Sequence, residues 1–396
     1  MLQNELQSAI FRILAGASEP VSRAQLGASL GVGRNVVGTE VRRLLDAGVL
    51  EEAGQAESQG GRPSLLLRIS RQAGLVGSID LGATSIDVAL TTLSSEIVAH
   101  TAEAADIGRG PKRILRRSFE LLRRLLGAEG ATTADLRAVG VGVPGPVDQA
   151  EGRVVAPPIM PGWNKFPVRA AVAELVPCPV FVDNDVNLMA LGEHAAGAAR
   201  GIDNFIFVKV GTGIGAGIVV NGRLMRGADG CAGDLGHLSV NPEGRRCTCG
   251  NRGCLEVEAA APAIVRAAVA AAERGDAPLL AATLQQQGYL AARDVGDAAS
   301  RGDVGALAVV RAAAGRIGLT LASVVSLINP SLIVLGGGVS QIGDAFLAEI
   351  RTAVYRRSLP LATRNLPIVT SELGSDAGVV GASVLAGRGL LLRSLQ

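Results

Sequence analysis

The sequence predicts an α/β chain built from two similar halves and headed by a small helix-turn-helix module. Three observations predict it. An apolar strand, a tight Gly turn and two further strands occur twice, as "LVGSIDLGATSIDVALTTLSSEIVAH" and as "FIFVKVGTGIGAGIVVNGRLMRG", the mark of a duplicated unit. Between and after these repeats, helical and strand patterns alternate. The stretch before Gly74 follows neither plan: it is helical first and hairpin-like afterwards.

The chain has 396 residues, more than one ordinary core accommodates, so two or three domains are expected. Hydrophobic residues make up 48% and aromatics only 3%, so Ala, Val and Leu must fill those cores. A net charge of +2 excludes a protein that coats nucleic acid over its whole surface; any basic surface must be local.

The elements follow in order. Leu6, Ile10, Ile13 and Leu14 recur at helical spacing. "SRAQLGASL" is a second short helix, Gly31-Val32-Gly33 a tight turn, and "RNVVGTEVRRLLDAG" a third helix ended by Gly48. Its inward stripe is Val37, Val41, Leu44 and Leu45; the opposite stripe carries Arg34, Asn35, Thr39, Arg42 and Arg43. "VLEEAG" and "PSLLLRI" read as the two strands of a hairpin with the polar tip "QAESQGGR". Turn, Arg/Asn-rich face and wing occur in the order of a winged helix-turn-helix over residues 1–72. Arg34, Asn35, Thr39 and Arg42 are expected in the DNA groove, with Arg62 reaching DNA from the wing. A small helical dimerisation domain is the competing reading.

Residues 73–190 are expected to form the first α/β lobe, with 377–396 packing back on it, and 191–376 the second, with a ligand cleft between the halves. "KRILRRSFELLRRLL" is a helix whose basic face is expected to be solvated. "IGLTLASVVSLINPSLIVLGGGV" is broken by Asn329-Pro330, so it reads as a buried helix, a turn and a buried strand rather than a membrane span. "MLQNELQSAIFRIL" has no basic segment followed by an apolar run, so no secretory signal is expected. Five cysteines, an odd number, point to a reducing cytoplasm where clustered thiols bind metal.

Three patterns carry chemistry. "CTCGNRGC" places Cys247, Cys249 and Cys254 in one short loop. Zinc takes four such ligands in a tetrahedron; His237 in "AGDLGHLSV" is the leading fourth and Cys231 the runner-up. In "FVDNDVNLMALGE" a strand runs straight into Asp183, Asn184, Asp185 and Asn187, at the strand end where α/β folds bind ligands. Asp185 could take a proton from a substrate hydroxyl; helix capping alone would need one of these four residues. Third, "DLGATS" and "GTGIGAG" are Gly turns after strands, where backbone N–H groups can cradle phosphate. "VLGGGVS" is a further such turn, suited to an adenosine seat. Paired in two halves, the first two resemble the phosphate loops of actin-like sugar kinases.

Together "GVGVPGPVD", "VDNDVN", "GTGIGAG", "GDLGH", "CTCGNRGCLE" and "NPSLIVLGGGVS" resemble the ROK family of bacterial repressors and sugar kinases, over almost all of the chain after position 74. With a winged helix-turn-helix ahead of them, they resemble its regulator branch, typified by xylose and N-acetylglucosamine repressors. The resemblance implies an actin-like, RNase H-like duplicated fold. It implies structural zinc on His237, Cys247, Cys249 and Cys254, and sugar binding by Asn184, Asp185, Asp234, His237 and Glu256, with the loop at Gly145 closing over the sugar. It implies Asp185 as the base of a kinase, and nucleotide binding at Asp80, Gly82, Thr84, Gly211, Thr212, Gly213, Gly336 and Gly337. Two departures stand out. The family's kinases carry Asp-x-Gly-Gly-Thr-Lys where this chain has Ala83 and Ser85, and their sugar-contacting Glu is Asp234 here. The expectation is therefore a cytoplasmic, sugar-responsive repressor of carbohydrate-metabolism genes. It would bind an inverted-repeat operator as a homodimer or homotetramer and involve no membrane. The alternative is a sugar kinase using ATP and Mg²⁺.

Overall fold

A computed structural model describes residues 2–17, 19–55, 64–157 and 160–393. The chain divides into two compact units, one of Met1–Ala196 with Asp376–Gln396, the other of Gly197–Ser375.

The first unit opens with α1 (Leu2–Gly16), β1 (Val21–Ser22), α2 (Arg23–Leu30) and α3 (Arg34–Asp46), then the hairpin β2 (Leu50–Gln55) and β3 (Leu65–Ile69). Ser22 and Gln25 close a reciprocal capping box at the start of α2, and Gly31 ends it in the left-handed conformation at φ 64°, as a helix stop before a tight turn requires. β1 pairs with β3, completing a three-stranded sheet in the order β1-β3-β2. A strand of two residues leaves no periodicity to read, so the sequence did not announce it. The wing tip, and with it Arg62, lies outside the described residues.

The same unit continues through β4 (Leu75–Leu81), β5 (Ser85–Thr92), β6 (Ile97–Ala104), α4 (Pro111–Ala128), β7 (Leu136–Val143), β8 (Val147–Asp148), β9 (Arg153–Val154), α5 (Val168–Ala173), β10 (Val180–Asn184) and α6 (Asp185–Ala196). The strand order is β10-β7-β4-β5-β6; β4, β5 and β6 form an antiparallel meander, while β7 and β10 add in parallel. On α4, Arg117 is held by Glu103 at 2.7 Å and Glu120 at 3.0 Å, and Lys112, Arg113 and Arg116 are exposed.

The second unit repeats the plan. It contains β11 (Phe205–Val210), β12 (Ile214–Val220), β13 (Arg223–Met225), α7 (Leu255–Ala259), α8 (Ala261–Glu273), α9 (Pro278–Gln287), α10 (Ala292–Ser300), α11 (Val304–Ile328), β14 (Leu332–Gly336), α12 (Asp344–Arg357), α13 (Pro360–Thr363) and β15 (Ile368–Thr370). Its order, β13-β12-β11-β14-β15, again joins an antiparallel meander to two parallel strands. The duplicated strand order is the actin-like fold. α11 is long and apolar enough to cross a membrane by length and composition. Its Val310, Ala314, Ile317, Leu321 and Val325 lie instead in the core of this unit, and Asn329 stops it at φ 50°. The last helix, α14 (Ala377–Arg393), belongs to the first unit.

Candidate functional site

In the first unit the acidic cluster sits where β4, β7 and β10 reach their C-terminal ends. Asp183 and Asn184 close β10, and Asp185 opens α6. Asn184 is fully committed. Its Oδ1 accepts from the N–H groups of Val186 at 2.9 Å and Asn187 at 3.2 Å, which caps the helix. Its Nδ2 donates to the Gly145 carbonyl and to Asp185 Oδ1, both at 3.0 Å. One amide therefore starts α6, ties down the Gly145 loop and orients the Asp185 carboxylate. Asp183 accepts from Asn187 and Gln149 at 3.0 and 2.7 Å, so it supports the cluster from below.

Asp80, 5% exposed, lies on β4, separated from β10 by β7. Gly142 and Gly378 make room for it: a Cβ at Gly142 would fall 2.6 Å from Asp80 Oδ1, and one at Gly378 would fall 1.9 Å from Oδ2. Gly142 stands in the motif "GVGVPGPVD" and Gly378 in none, and sequence reading missed that both make room for Asp80. Gly82 and Thr84 belong to the β4–β5 turn, where the Gly82 N–H bonds back to the Ser85 carbonyl at 2.9 Å.

In the second unit the Gly turn and the acidic residue after the cysteines come together. Glu256 Oε2 accepts from the Ile214 N–H at 3.2 Å. It lies 2.5 Å from where a Cβ on Gly213 would be and 3.5 Å from one on Gly236. The missing side chain at 213 thus leaves room for a carboxylate of the chain itself. Burial raises the Glu256 carboxyl above its ordinary value; His237 and the Ile214 N–H pull it down, and Asp234 adds to the rise. Asp234, His237 and Glu256 therefore share one electrostatic neighbourhood. Gly211 and Thr212 complete the β11–β12 turn. Gly336 and Gly337 answer to packing, because a Cβ on Gly336 would meet the Phe207 ring at 2.3 Å and one on Gly337 the Val210 carbonyl at 2.5 Å.

The thiols converge. One ligand atom from each of His237, Cys247, Cys249 and Cys254 lies within 4.8 Å of all the others. Cys247 Sγ is 3.5 Å from His237 Nδ1, and Cys249 Sγ is 3.6 Å from Cys254 Sγ. A zinc tetrahedron with bonds of about 2.0–2.3 Å has edges of roughly 3.5–3.8 Å, which these two separations match. The loop is folded for it: Cys247 N–H bonds to Asn251 O at 2.7 Å, and Gly253 approaches Asn241 so closely that a Cβ would fall 1.5 Å from its carbonyl oxygen. Burial and the neighbouring sulfurs push the Cys254 thiol up to about 12, a direction that a bound divalent cation reverses. Cys231, the alternative fourth ligand, is exposed and outside this cluster.

On the DNA-binding candidate, Arg34, Asn35, Thr39 and Arg42 are all exposed on α3, over a core of Val37, Val41 and Leu44. Val36, 51% exposed among them, is an apolar contact that sequence reading passed over; such a side chain suits a thymine methyl.

Comparison with known proteins bears on both units. The ROK family model matches residues 76–388. A glucokinase of Halalkalibacterium halodurans is 36% identical over 308 residues, covering 78% of this chain and 93% of the enzyme. A protein named as a putative xylose repressor of a Caldicellulosiruptor species is 32% identical over 365 residues, covering 91% of this chain and 90% of its own. A crystal structure described as a ROK family transcriptional regulator, homologue of the E. coli MLC protein, superposes with a TM-score of 0.83 at 26% identity, covering 100% of this chain and 98% of that one.

Proposed function

The chain belongs to the ROK family, and from that premise we propose that it is a sugar-responsive transcriptional repressor. One observation carries the reading. The matches to a repressor and a regulator extend across the helix-turn-helix head, whereas the glucokinase match leaves about a fifth of this chain uncovered. The exposed row Arg34, Asn35, Thr39 and Arg42 supports DNA reading by α3, with Arg62 added from the wing.

In this reading a sugar is the effector. Asp185 accepts a sugar hydroxyl, held in pose by Asn184 and the Gly145 loop; Glu256, His237 and Asp234 take others. Nδ1 of His237 faces the sulfurs, which leaves Nε2 for the ligand. Zinc on His237, Cys247, Cys249 and Cys254 is structural: all four positions are protein donors, and the ion clamps the loop that aims His237 and Glu256. A homodimer acting in the cytoplasm on an inverted repeat completes the proposal.

The test is an operator fragment selected from random DNA, titrated with and without D-xylose, D-glucose and N-acetylglucosamine. Coupling of about 1–3 kcal/mol changes operator affinity roughly 5- to 150-fold. Failure of every sugar to move it would remove the sugar from the proposal. Metal analysis of the folded protein should give one zinc per chain, and a chelator should lower the melting temperature and sugar affinity together.

The second reading is an ATP- and Mg²⁺-dependent sugar kinase, favoured by the 36% identity to a glucokinase and by Asp185 as base. Ala83 and Ser85 in the first Gly turn oppose it. ADP release that depends on sugar and vanishes in Asp185→Asn would establish it.

A further inference from the structure

The recognition helix buries a charge. Glu40 lies on the inward stripe of α3, beside Val37, Val41 and Leu44, with a side chain only 3% exposed. A carboxylate there is costly unless it is bonded. It has two partners. Arg43, one turn on and still 54% exposed, bonds it at 2.8 Å. Gln7 of α1 donates to it through its side-chain amide. An aliphatic residue would fill this place in the core at lower cost, so the pair fixes how α3 sits on α1, as polar pairs in cores can fix register.

α1 is tied elsewhere too. Its Ile10, Phe11 and Leu14 share one core with Val37 and Val41 of the head, with Val76 and Ala138 of the lobe's sheet, and with Ala386 of α14. Phe11 approaches Gly387 of α14 to the 3.4 Å at which a Cβ would touch its ring. α14 in turn lies backbone against backbone on α6: a Cβ on Gly381 would fall 1.7 Å from the Leu188 carbonyl oxygen, and one on Gly192 would fall 2.3 Å from that of Ala377. α6 begins at Asp185.

We infer that the buried Gln7–Glu40 pair is a positioning link for operator reading. Through it α1, seated on α14 and so on the helix that opens with Asp185, sets the pose of α3. This rests on the proposed sugar-responsive repressor and names the residues of its regulation. Gln7 and Glu40 touch neither sugar nor bases; they act through the recognition helix. Coupling between sites requires an element both can bias, and α1 is that element.

The test pairs Gln7→Met, which keeps volume and removes the amide, with the exchange Gln7→Glu/Glu40→Gln, which restores an amide–carboxylate pair in reverse. Operator affinity is measured by fluorescence anisotropy on the selected fragment, with and without whichever of D-xylose, D-glucose or N-acetylglucosamine moves the wild type. Sugar affinity is measured by calorimetry and folding by melting temperature. Gln7→Met should bind the sugar within about twofold of wild type. Its sugar-induced change in operator affinity should shrink from the roughly 5- to 150-fold range to less than about twofold, and the exchange should recover most of that response. A merely structural link would lower the melting temperature and leave the response intact; a full response in folded Gln7→Met therefore overturns the inference. If Gln7→Met does not fold, the exchange variant decides: folded but unresponsive, it overturns the inference as well. A wild type that responds to no sugar overturns the functional reading itself, which separates the two failures.

Discussion

Asn184 and Gly213 show how much of a binding site is decided by single atoms. Asn184 has two acceptor lone pairs and two donor hydrogens, and all four are used on the α6 cap, the Gly145 loop and Asp185. In the proposed sugar site its contribution would therefore come largely through Asp185. Gly213 was legible as a turn glycine, but its partner was not, because Glu256 lies far along the chain. Gly213→Ala would drive a methyl group against Glu256 Oε2 and break its bond to the Ile214 N–H. A buried acceptor left without its donor costs about 1–3 kcal/mol. We expect a stability loss of that order by urea unfolding and about tenfold or more weaker sugar binding, with zinc content unchanged. Sugar affinity equal to wild type would show that Glu256 does not aim at the ligand.

At the scale of elements, the sequence yielded most of the fold. Helical spacing and the Gly stops placed α1 to α3, and the repeated strand–turn–strand plan placed both meanders, because backbone physics writes these features locally. Long-range requirements were hidden. Glu40 falls on the apolar stripe of α3 yet reads as solvent-facing until Gln7 is seen beside it. Gly142 and Gly378 have a reason only once Asp80 stands between them. The meander holds another such group. His100 on β6 lies 3.8 Å from Asp87 of β5 and 3.7 Å from Asp376, just before α14. Asp87 first, and Asp376 after it, raise its pKa above the ordinary 6.5 against the opposing effect of burial. A raised folded-state value means stability that is fully present below about pH 6.5 and lost as pH rises through the folded value. Urea unfolding of His100→Gln and wild type should therefore differ most near pH 5.5–6 and converge on the alkaline side. A gap that stays constant across that range would deny His100 this role.

For the whole molecule, the decisive question is how one small reading helix achieves specificity. In the proposed reading a single α3 offers few base-contacting side chains, since Arg34, Asn35, Thr39 and Arg42 would cover only a few base pairs. Two copies on two half-sites multiply discrimination, which is why the proposed operator is an inverted repeat. The head is also not hung on a loose tether. Its core residues Ile10, Val37 and Leu67 are continuous with Val76 and Ala138 of the first lobe's sheet, with Leu93 in the β5–β6 turn and with Ala386 of α14. A head that shares a core with its lobe resists swivelling to follow a displaced half-site. Spacing dependence should therefore be steep. Inserting five base pairs between the half-sites turns one to the opposite face of the duplex, since a helical turn takes about 10–10.5 base pairs. Affinity should then fall by about a hundredfold or more toward the non-specific level, given specificity ratios of roughly 10³–10⁷. Ten inserted base pairs restore the face but not the distance, so a rigid dimer should regain little, whereas heads on flexible linkers would regain most of the loss. Gel-shift titration of the three fragments separates these cases, and equal affinity for all three would sink the two-fold, rigid-headed reading.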